Sequence, residues 1–177
     1  TLEIHGERRH FYYIASPIRD GDVIRGILGT NIDITEQKQT EAALRRSEDR
    51  FSQAFRANPA GLSITTLGDG KIIDVNPAFL KLTGFEREMV IGHSVEELNL
   101  IASRFSRAWM TKILLKYGKT RSGEAQIRTR NGDIRFVQHS AEIIEVAGEP
   151  HVLSIFNDIT ERKKAVAALR ESEARFR

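Results

Sequence analysis

The stretch "DVNPAFLKLTGF", from Asp74 to Phe85, decides how the middle of this 177-residue chain folds. It begins at the end of an apolar run and continues with the features that bound a short helix. Asn76 is a residue type that caps helix N-termini, Pro77 suits the first helical position, and Gly84 suits a left-handed stop. The stretch therefore predicts a strand that leads directly into a short, well-capped helix.

Strand patterns lie on both sides of this helix. Residues 59–75 predict a hairpin that turns at Gly68–Gly70. Further along the chain, Ser103 to Lys116 is the strongest amphipathic helix pattern, with Phe105 and Trp109 on its apolar side. The order of two strands, helices and three strands predicts an α+β fold, with an antiparallel five-stranded sheet and helices on one face. The last three predicted strands are residues 123–130, 133–146 and 151–158, the first two joined by the turn pair Asn131-Gly132.

A charged, helix-forming phrase occurs twice in the chain. It is written "NIDITEQKQTEAALRRSEDRF" in residues 31–51 and "NDITERKKAVAALRESEARF" in residues 157–176. The offset is the same at its start and in its middle, since 158 − 33 and 169 − 44 are both 125. One offset across the whole phrase indicates the duplication of a domain-sized unit.

Both copies of the phrase predict a helix with a weak coiled-coil seam. Asp33 with Glu36, and Asp158 with Glu161, have the D-x-x-E form of a capping box. Polar residues in the seam bring competing registers close in energy. Two interpretations stay open: a solvated connector helix, or a weak dimeric coil that passes on a change of register. The seam residues are Ile34, Gln37, Glu41, Leu44, Glu48, Phe51 and Phe55 in the first copy and Ile159, Arg162, Val166, Leu169, Glu173 and Phe176 in the second.

Residues 1–34 predict β structure, with residues 10–18 and 23–32 as two strands around the turn "RDGD". A lone hairpin is marginally stable in water. We therefore expect its apolar face to pack against the same chain, or against a second copy by exchange.

Composition excludes several classes of protein. The chain is 40% hydrophobic and 29% charged, which is typical of a globular protein. Its net charge of +3 is spread among interleaved acids and bases, which argues against a nucleic-acid surface. The absence of cysteine excludes disulfides, thiolate metal sites and cysteine chemistry. No apolar run is long enough to cross a bilayer, so we expect no membrane insertion and a cytoplasmic location.

Three stretches in this order resemble a PAS domain, the small sensor module of signalling proteins. They are "DVNPAFLKLTGF", "RNGDIRFV" (residues 130–137) and "NDITERK" (residues 157–163). The last contains the Asp-Ile-Thr signature that joins a PAS core to its output helix, here Asp158, Ile159 and Thr160. The resemblance covers residues 51–161 and implies the PAS fold.

The resemblance also implies a domain organisation, flanked by coiled-coil-like signalling helices. We expect residues 1–34 to be the C-terminal strands of a preceding, truncated PAS domain. Residues 35–56 would be a linker helix, residues 57–160 the PAS domain, and residues 161–177 an output linker helix that leads to a following domain.

The resemblance places a ligand pocket between the inner face of the sheet and the helices. Strand alternation puts alternate residues of the fourth strand on one face, and the resemblance makes that face the inner one. The pocket would be mostly apolar, with His139 and Ser154 as its polar groups. The candidate lining residues are Ile127, Val137, His139, Ala141, Ser154 and Phe156.

The cofactor stays unknown at this point. A flavin photosensor of the LOV type needs a cysteine, which the chain lacks. A haem sensor of the oxygen-sensing type takes its ligand from a histidine on the long helix, and residues 103–119 contain none. A flavin held without a covalent bond near Trp109, a small metabolite, a fatty acid and an empty core stay open. His5, His10, His93 and His151 share no spacing typical of a metal site, so no metal is predicted.

The resulting hypothesis is a sensory and dimerisation module. A signal in the core would pass through Asp158, Ile159 and Thr160 to the helix that follows, most readily in a sensor histidine kinase. We find no catalytic pattern and expect no enzyme activity in these residues. The expected partners are a second copy and flanking PAS or kinase domains, with a small-molecule ligand possible. The alternatives are a ligand-free interaction scaffold, or the PAS module of a diguanylate cyclase.

Overall fold

The computed structural model describes residues 2–4, 7–102 and 107–175, without the side chains of residues 3, 4, 7 and 107. It divides into two compact units, Thr1–Gln53 and Ala54–Arg177.

The first unit is built from two antiparallel β ribbons and a helix. In the longer ribbon the chain turns at Gly21, whose φ of 62° suits glycine, in agreement with the predicted turn. The ribbon exposes apolar side chains on both faces, since the neighbouring residues Ile27 and Leu28 are 70% and 63% exposed. The elements are β1 (Leu2–Ile4) paired with β2 (Glu7–Arg9), β3 (Phe11–Asp20) paired with β4 (Val23–Asp33), and α1 (Thr35–Ala57), whose last residues belong to the second unit.

The second unit contains the predicted five-stranded antiparallel sheet, which is confirmed. Its spatial order is β6-β5-β9-β8-β7, so the last strand of the chain lies at the centre. A central strand pairs on both edges, and its alternate residues must fill both faces of the sheet. The strands are β5 (Gly61–Thr66), β6 (Ile72–Val75), β7 (Gly123–Arg128), β8 (Ile134–Val146) and β9 (Glu149–Asp158).

Helices separate the two halves of the sheet in sequence. These are α2 (Pro77–Thr83), α3 (Arg87–Val90) and α4 (Arg107–Tyr117), and α5 (Thr160–Arg175) follows the last strand. The helix predicted from Ser103 is described from Arg107 onward, and Phe105 lies outside the described residues. Both faces of the sheet carry apolar packing. Leu114 of α4 packs on Ala141 and Val152, and on the opposite face Phe55 packs on Leu62 and Ile64.

Helix α2 begins and ends as the sequence predicts. The Asn76 side chain accepts a hydrogen bond from the Phe79 amide at 2.9 Å, and Pro77 occupies the first helical position. Gly84 adopts the left-handed conformation at φ 74°, and its amide donates to the Leu80 carbonyl at 2.8 Å. Helix α2 thus places Phe79, which is 2% exposed, in a core cluster with Ile72 and Val90.

The capping boxes predicted for α1 and α5 form only in part. The Asp33 carboxylate accepts from the Thr35 amide, and the Asp158 carboxylate accepts from the Thr160 amide, both at 2.9 Å. Each bond spans two residues rather than the three of a capping box, because each helix already begins at its threonine. Glu161 pairs with Lys164 instead of reaching back to the cap.

Asn76 is fully buried, and its side chain makes five hydrogen bonds to the backbone. The amide nitrogen Nδ2 donates to the carbonyls of Phe55, Asn58 and Ala60, at 3.1, 3.2 and 2.9 Å. The amide oxygen Oδ1 accepts from Leu62 at 2.8 Å as well as from the α2 cap. One side chain therefore joins the end of α1, the start of β5 and the start of α2.

We expect Asn76→Ala to destabilise the second unit by roughly 2–4 kcal/mol, because it leaves several buried backbone groups without partners. Urea unfolding followed by the fluorescence of Trp109, the chain's single tryptophan, would measure the loss in this unit. The matched control is Asn157→Ala, at an exposed asparagine of β9, which should change stability by no more than about 0.5 kcal/mol. Equal losses in the two variants would contradict the role given to Asn76.

Candidate ligand cavity and helix junction

A cavity of about 980 Å³ lies between the inner face of the sheet and the helices. Helix α2 contributes Phe79 and Thr83 to its lining, and α4 contributes an apolar side that includes Ile113 and Leu114. The volume is at the upper end of the range typical of small-molecule sites, about 300–1,000 Å³. The space is therefore sufficient for a ligand of metabolite or drug size.

The inner face of the sheet supplies several polar groups of the cavity. Ser63 on β5 lies directly opposite Ser154 on β9, and both are buried and line the cavity. His139 on β8 lies opposite Phe156, and the centroids of the two rings are 4.8 Å apart. The hydroxyl groups of these two serines and the imidazole of His139 are thus among the polar groups that face a largely apolar space.

His139 is neutral in the folded protein at physiological pH. Burial lowers the pKa of its imidazole from 6.5 to about 4, because the charged form loses its hydration inside the sheet. A neutral imidazole offers one hydrogen-bond donor and one acceptor. The cavity floor can therefore bind a polar group of a ligand but does not supply a charge.

Four of the six residues proposed from strand alternation line this cavity: Ile127, His139, Ser154 and Phe156. Val137 and Ala141 are 0% and 3% exposed and are not among its lining residues. Val137 lies beside Asp158 in the register of β8 and β9, near the end of the sheet where α5 begins. Ala141 is covered by Leu114 of α4.

Alternation along strands could not identify the lining residues that lie outside them. The segment between α4 and β7 contributes Lys119 and Arg121, and β7 itself contributes Glu124. Glu124 alternates along β7 with residues of the inner face, so its side chain lies toward the other face of the sheet. Lys119 and Arg121 are exposed and mark the open side of the cavity. Their order in the sequence, directly after the amphipathic helix, was the available signal.

The junction of β9 and α5 is a hydrogen-bonded arrangement that we call the C-terminal clasp, formed by Arg135, Phe136, Asp158, Ile159 and Thr160. The Phe136 amide donates to Thr160 Oγ1 at 3.0 Å, and the Ile159 amide donates to the Phe136 carbonyl at 2.8 Å. Asp158 accepts from the Thr160 amide and pairs with Arg135 at 3.3 Å. The first turn of α5 is thereby attached to β8.

The first unit contains the same arrangement, the N-terminal clasp. The His10 amide donates to Thr35 Oγ1 at 2.8 Å, and the Ile34 amide donates to the His10 carbonyl at 2.8 Å. Asp33 accepts from the Thr35 amide and pairs with Arg9 at 3.5 Å. Each of these four contacts has its counterpart among the four contacts named for the C-terminal clasp.

The two arginines of the clasps are not separated by the 125 positions that separate the two copies of the repeated phrase. Their equivalence is therefore not visible in the sequence. Arg9 and Arg135 are 126 positions apart (135 − 9), whereas the aspartates are 125 apart (158 − 33). The register of β3 and β4 shifts between Ile18 and Arg19. A bulge of this kind holds one extra residue, which accounts for the difference of one position.

A second attachment joins α5 to the sheet through Lys163. Its ammonium group pairs with the Glu124 carboxylate of β7. It also lies 5.1 Å from the ring centroid of Phe136 on β8, within cation–π range. Glu124 therefore belongs both to the lining of the cavity and to the contact with α5.

The described part of the chain contains neither a metal-binding cluster nor a helix that could span a membrane. No group of three or more histidine, aspartate or glutamate side chains there could hold a metal ion. None of the helices in the described segments is long and apolar enough to cross a membrane.

The relatives of this chain among known proteins include sensor proteins. The chain is 28% identical to the sensor histidine kinase TmoS of Ectopseudomonas mendocina over 137 residues, 76% of this chain. It is 32% identical to the methyl sulfide methyltransferase-associated sensor of Methanosarcina acetivorans over 144 residues, 80% of this chain. The matched region spans only 14% of the length of each relative.

The fold has close counterparts among solved structures. The PAS domain of an HTR-like protein from Haloarcula marismortui superposes with a TM-score of 0.57 at 24% identity, covering 69% of this chain and 99% of that one. A PAS domain family matches residues 59–161 in sequence, the region that contains the five-stranded sheet, the cavity and the C-terminal clasp. The chain belongs to the PAS domain family.

Proposed function

We propose that residues 57–160 are a sensory PAS module that passes a change in its cavity to α5 through the C-terminal clasp. The observation that carries the proposal is the position of β8. This strand presents His139 to the cavity, and three residues earlier Phe136 bonds to the first turn of α5 through both its amide and its carbonyl. A shift of β8 against its neighbours would alter the geometry of both bonds.

The Lys163–Glu124 pair supports the same direction of signalling. Glu124 lines the cavity on β7, and its partner Lys163 lies on α5. A ligand that moves β7 would therefore also act on the helix. The cavity favours this reading over a ligand-free scaffold, because a purely structural core would be filled by side chains.

We propose the predicted domain organisation as well. Residues 1–34 would be the last strands of a preceding PAS domain, residues 35–56 a linker helix, and residues 161–177 an output helix. The matching bonds of the two clasps support this arrangement, since one junction would end each PAS domain of a series. The module would operate in the cytoplasm beside flanking PAS or kinase domains, most readily in a sensor histidine kinase, as its sensor relatives suggest.

Dimerisation through the helices completes the proposal. Leu44 on α1 and Leu169 on α5 are each 61% exposed, and Val166 on α5 is 45% exposed. Such residues bury apolar area when two helices pair. The glutamates in the seam weaken this association, so small changes at the clasp could shift the balance between registers.

Opening the C-terminal clasp should release the start of α5. Thr160→Val keeps the shape of the side chain and removes the oxygen that accepts from Phe136. Losing one such bond costs about 1 kcal/mol, so exchange of the Phe136 and Ile159 amides should accelerate by roughly fivefold to tenfold. Hydrogen exchange followed by NMR would measure these amides.

The matched control is Thr35→Val, which removes the equivalent oxygen from the N-terminal clasp. It should accelerate exchange at His10 and Ile34 and leave Phe136 unchanged. Thr160→Ser should restore slow exchange, because it retains the hydroxyl. Unchanged protection of Phe136 in Thr160→Val would show that the clasp does not hold the helix.

Glu173→Leu should strengthen self-association, because it adds an apolar residue to the seam. Burying a leucine contributes roughly 1.5–3 kcal/mol, so the dimer dissociation constant should fall at least about tenfold. Sedimentation equilibrium would measure it. Glu48→Leu tests the seam of α1 in the same way, and in the parent protein either change should reduce the response to the stimulus.

The control for charge and hydrophobicity is Glu171→Leu, on the opposite side of α5 from the seam. It should leave the dissociation constant nearly unchanged. If Glu171→Leu and Glu173→Leu strengthen association equally, the gain comes from nonspecific hydrophobic association and the proposed seam is wrong.

The largely buried imidazole of His139 predicts a pH dependence of stability. Its pKa is about 4 in the folded protein and 6.5 for an unperturbed histidine, so the unfolded chain binds more protons between these limits. The contribution to stability is therefore complete above about pH 7 and is lost as the pH falls toward 4, by about 3 kcal/mol in all. Urea unfolding of the wild type and of His139→Gln across this range isolates the effect, since the carboxylates titrate in both.

His139→Gln should flatten the loss of stability between pH 6.5 and 5, the part of the range above most carboxylate titrations. NMR titration of the imidazole provides an independent check. A midpoint near 6.5 in the folded protein, or parallel stability curves for the two proteins, would contradict the burial of a neutral histidine.

A further inference from the structure

The charged residues at the open side of the cavity do not balance. Three charged residues of the described segments line it, and of these Glu124 is already paired with Lys163. Within the described segments, Lys119 and Arg121 form no ion pair. Two cationic side chains thus border the cavity without a partner carboxylate.

The nearest acidic residue on the adjoining strand does not face the cavity. Glu142 on β8 forms an isolated backbone bridge with Lys119. Its side chain points to the opposite face of the sheet from Ala141 and Ile143, because successive strand residues alternate. The cationic border is therefore not neutralised from β8.

The interior has the opposite character. Phe79, Ile127 and Phe156 line it together with the apolar side of α4, and the imidazole of His139 is uncharged. An anionic group would lose its hydration there without gaining a counter-charge, which is strongly unfavourable. A ligand with both an apolar body and a negative charge would satisfy both regions if its charged end stayed at the border.

We propose that the cavity binds an amphiphilic organic monoanion, a carboxylate with a medium-length aliphatic or aromatic body. The carboxylate lies between Lys119 and Arg121, and the body extends toward the serines and His139 of the sheet. Arg121 offers two parallel donors to a carboxylate. The inference rests on the proposed sensory function, since it names the class of ligand that the same cavity receives.

The test compares probes that share a ten-carbon chain and differ only in the head group: decanoate, decan-1-ol and decyltrimethylammonium. Isothermal titration below the micelle-forming concentration of each probe measures binding to the 177-residue chain. Decanoate should bind roughly tenfold more tightly than decanol, the factor expected of one charge-assisted hydrogen bond, and the cationic probe should bind most weakly. Raising the salt concentration should weaken the binding of decanoate but not of decanol.

Two variants locate the effect. Lys119→Gln combined with Arg121→Gln should remove most of the preference for decanoate over decanol, and both positions are exposed, so folding should be retained. Lys81→Gln, at an exposed lysine of α2 that does not line the cavity, is the control for the loss of one positive charge elsewhere and should leave the preference unchanged. Ala125→Phe, on the edge strand β7, narrows the cavity and should weaken the binding of decanoate and of decanol to the same extent.

The outcomes separate this inference from the proposed function. Equal affinities for decanoate and decanol, a preference unchanged in the double variant, or no binding of any probe overturns the proposed ligand class. None of these results alters the exchange behaviour of the clasp amides, which tests the relay by itself. If instead the clasp experiment fails while decanoate binds as described, the ligand class stands and the relay is wrong.

Discussion

The second unit depends on the buried side chain of Asn76. Its five hydrogen bonds join three segments that would otherwise present backbone groups to a dry interior. Buried backbone donors and acceptors are costly to leave unpaired, so these segments are stable only in this arrangement. Helix α2 is thereby held against β5, and Phe79 on that helix forms one wall of the cavity. The cavity and the fold thus share one structural support.

The two clasps stabilise the structure in a different way, because each one bonds the start of a helix to the backbone of a neighbouring strand segment. Aspartate and threonine side chains satisfy backbone groups at the helix start, and an arginine holds the aspartate in place. Each such bond contributes about 1 kcal/mol net. A clasp held by several bonds of this size is stable. The free energy of its bonds is nevertheless comparable to the difference in ligand-binding free energy that shifts an equilibrium between two states.

Local chemistry made several features predictable from the sequence. The boundaries of α2 follow from Asn76, Pro77 and Gly84, since capping requires only neighbouring residues. Strand alternation and the resemblance to PAS domains together assigned His139 and Ser154 to the inner face of the sheet, and both line the same cavity. The fold class followed from the order of these elements.

Contacts between residues distant in sequence were not predictable in the same way. The bonds from Asn76 to Phe55 and Asn58 depend on where α1 ends in space, which no periodicity encodes. Val137 and Ala141 share the alternation of His139 but do not line the cavity, because alternation identifies a face of the sheet and not the part of that face left uncovered. The D-x-x-E pattern failed at the glutamate, because each helix begins at the threonine and its aspartate bonds to the amide of that residue.

The sheet reaches α5 along two adjacent strands, and this arrangement constrains how the helix can respond. Strand β8 is attached through the backbone of Phe136, and β7 through the Glu124–Lys163 ion pair. The first attachment fixes the start of the helix at Thr160, and the second acts three residues further along. Two attachments so close together hold both the position and the direction of the first turn. A relative shift of β7 and β8 would therefore tilt or rotate the helix, and a tilt at its first turn is amplified along the 16 residues that follow from Thr160 to Arg175.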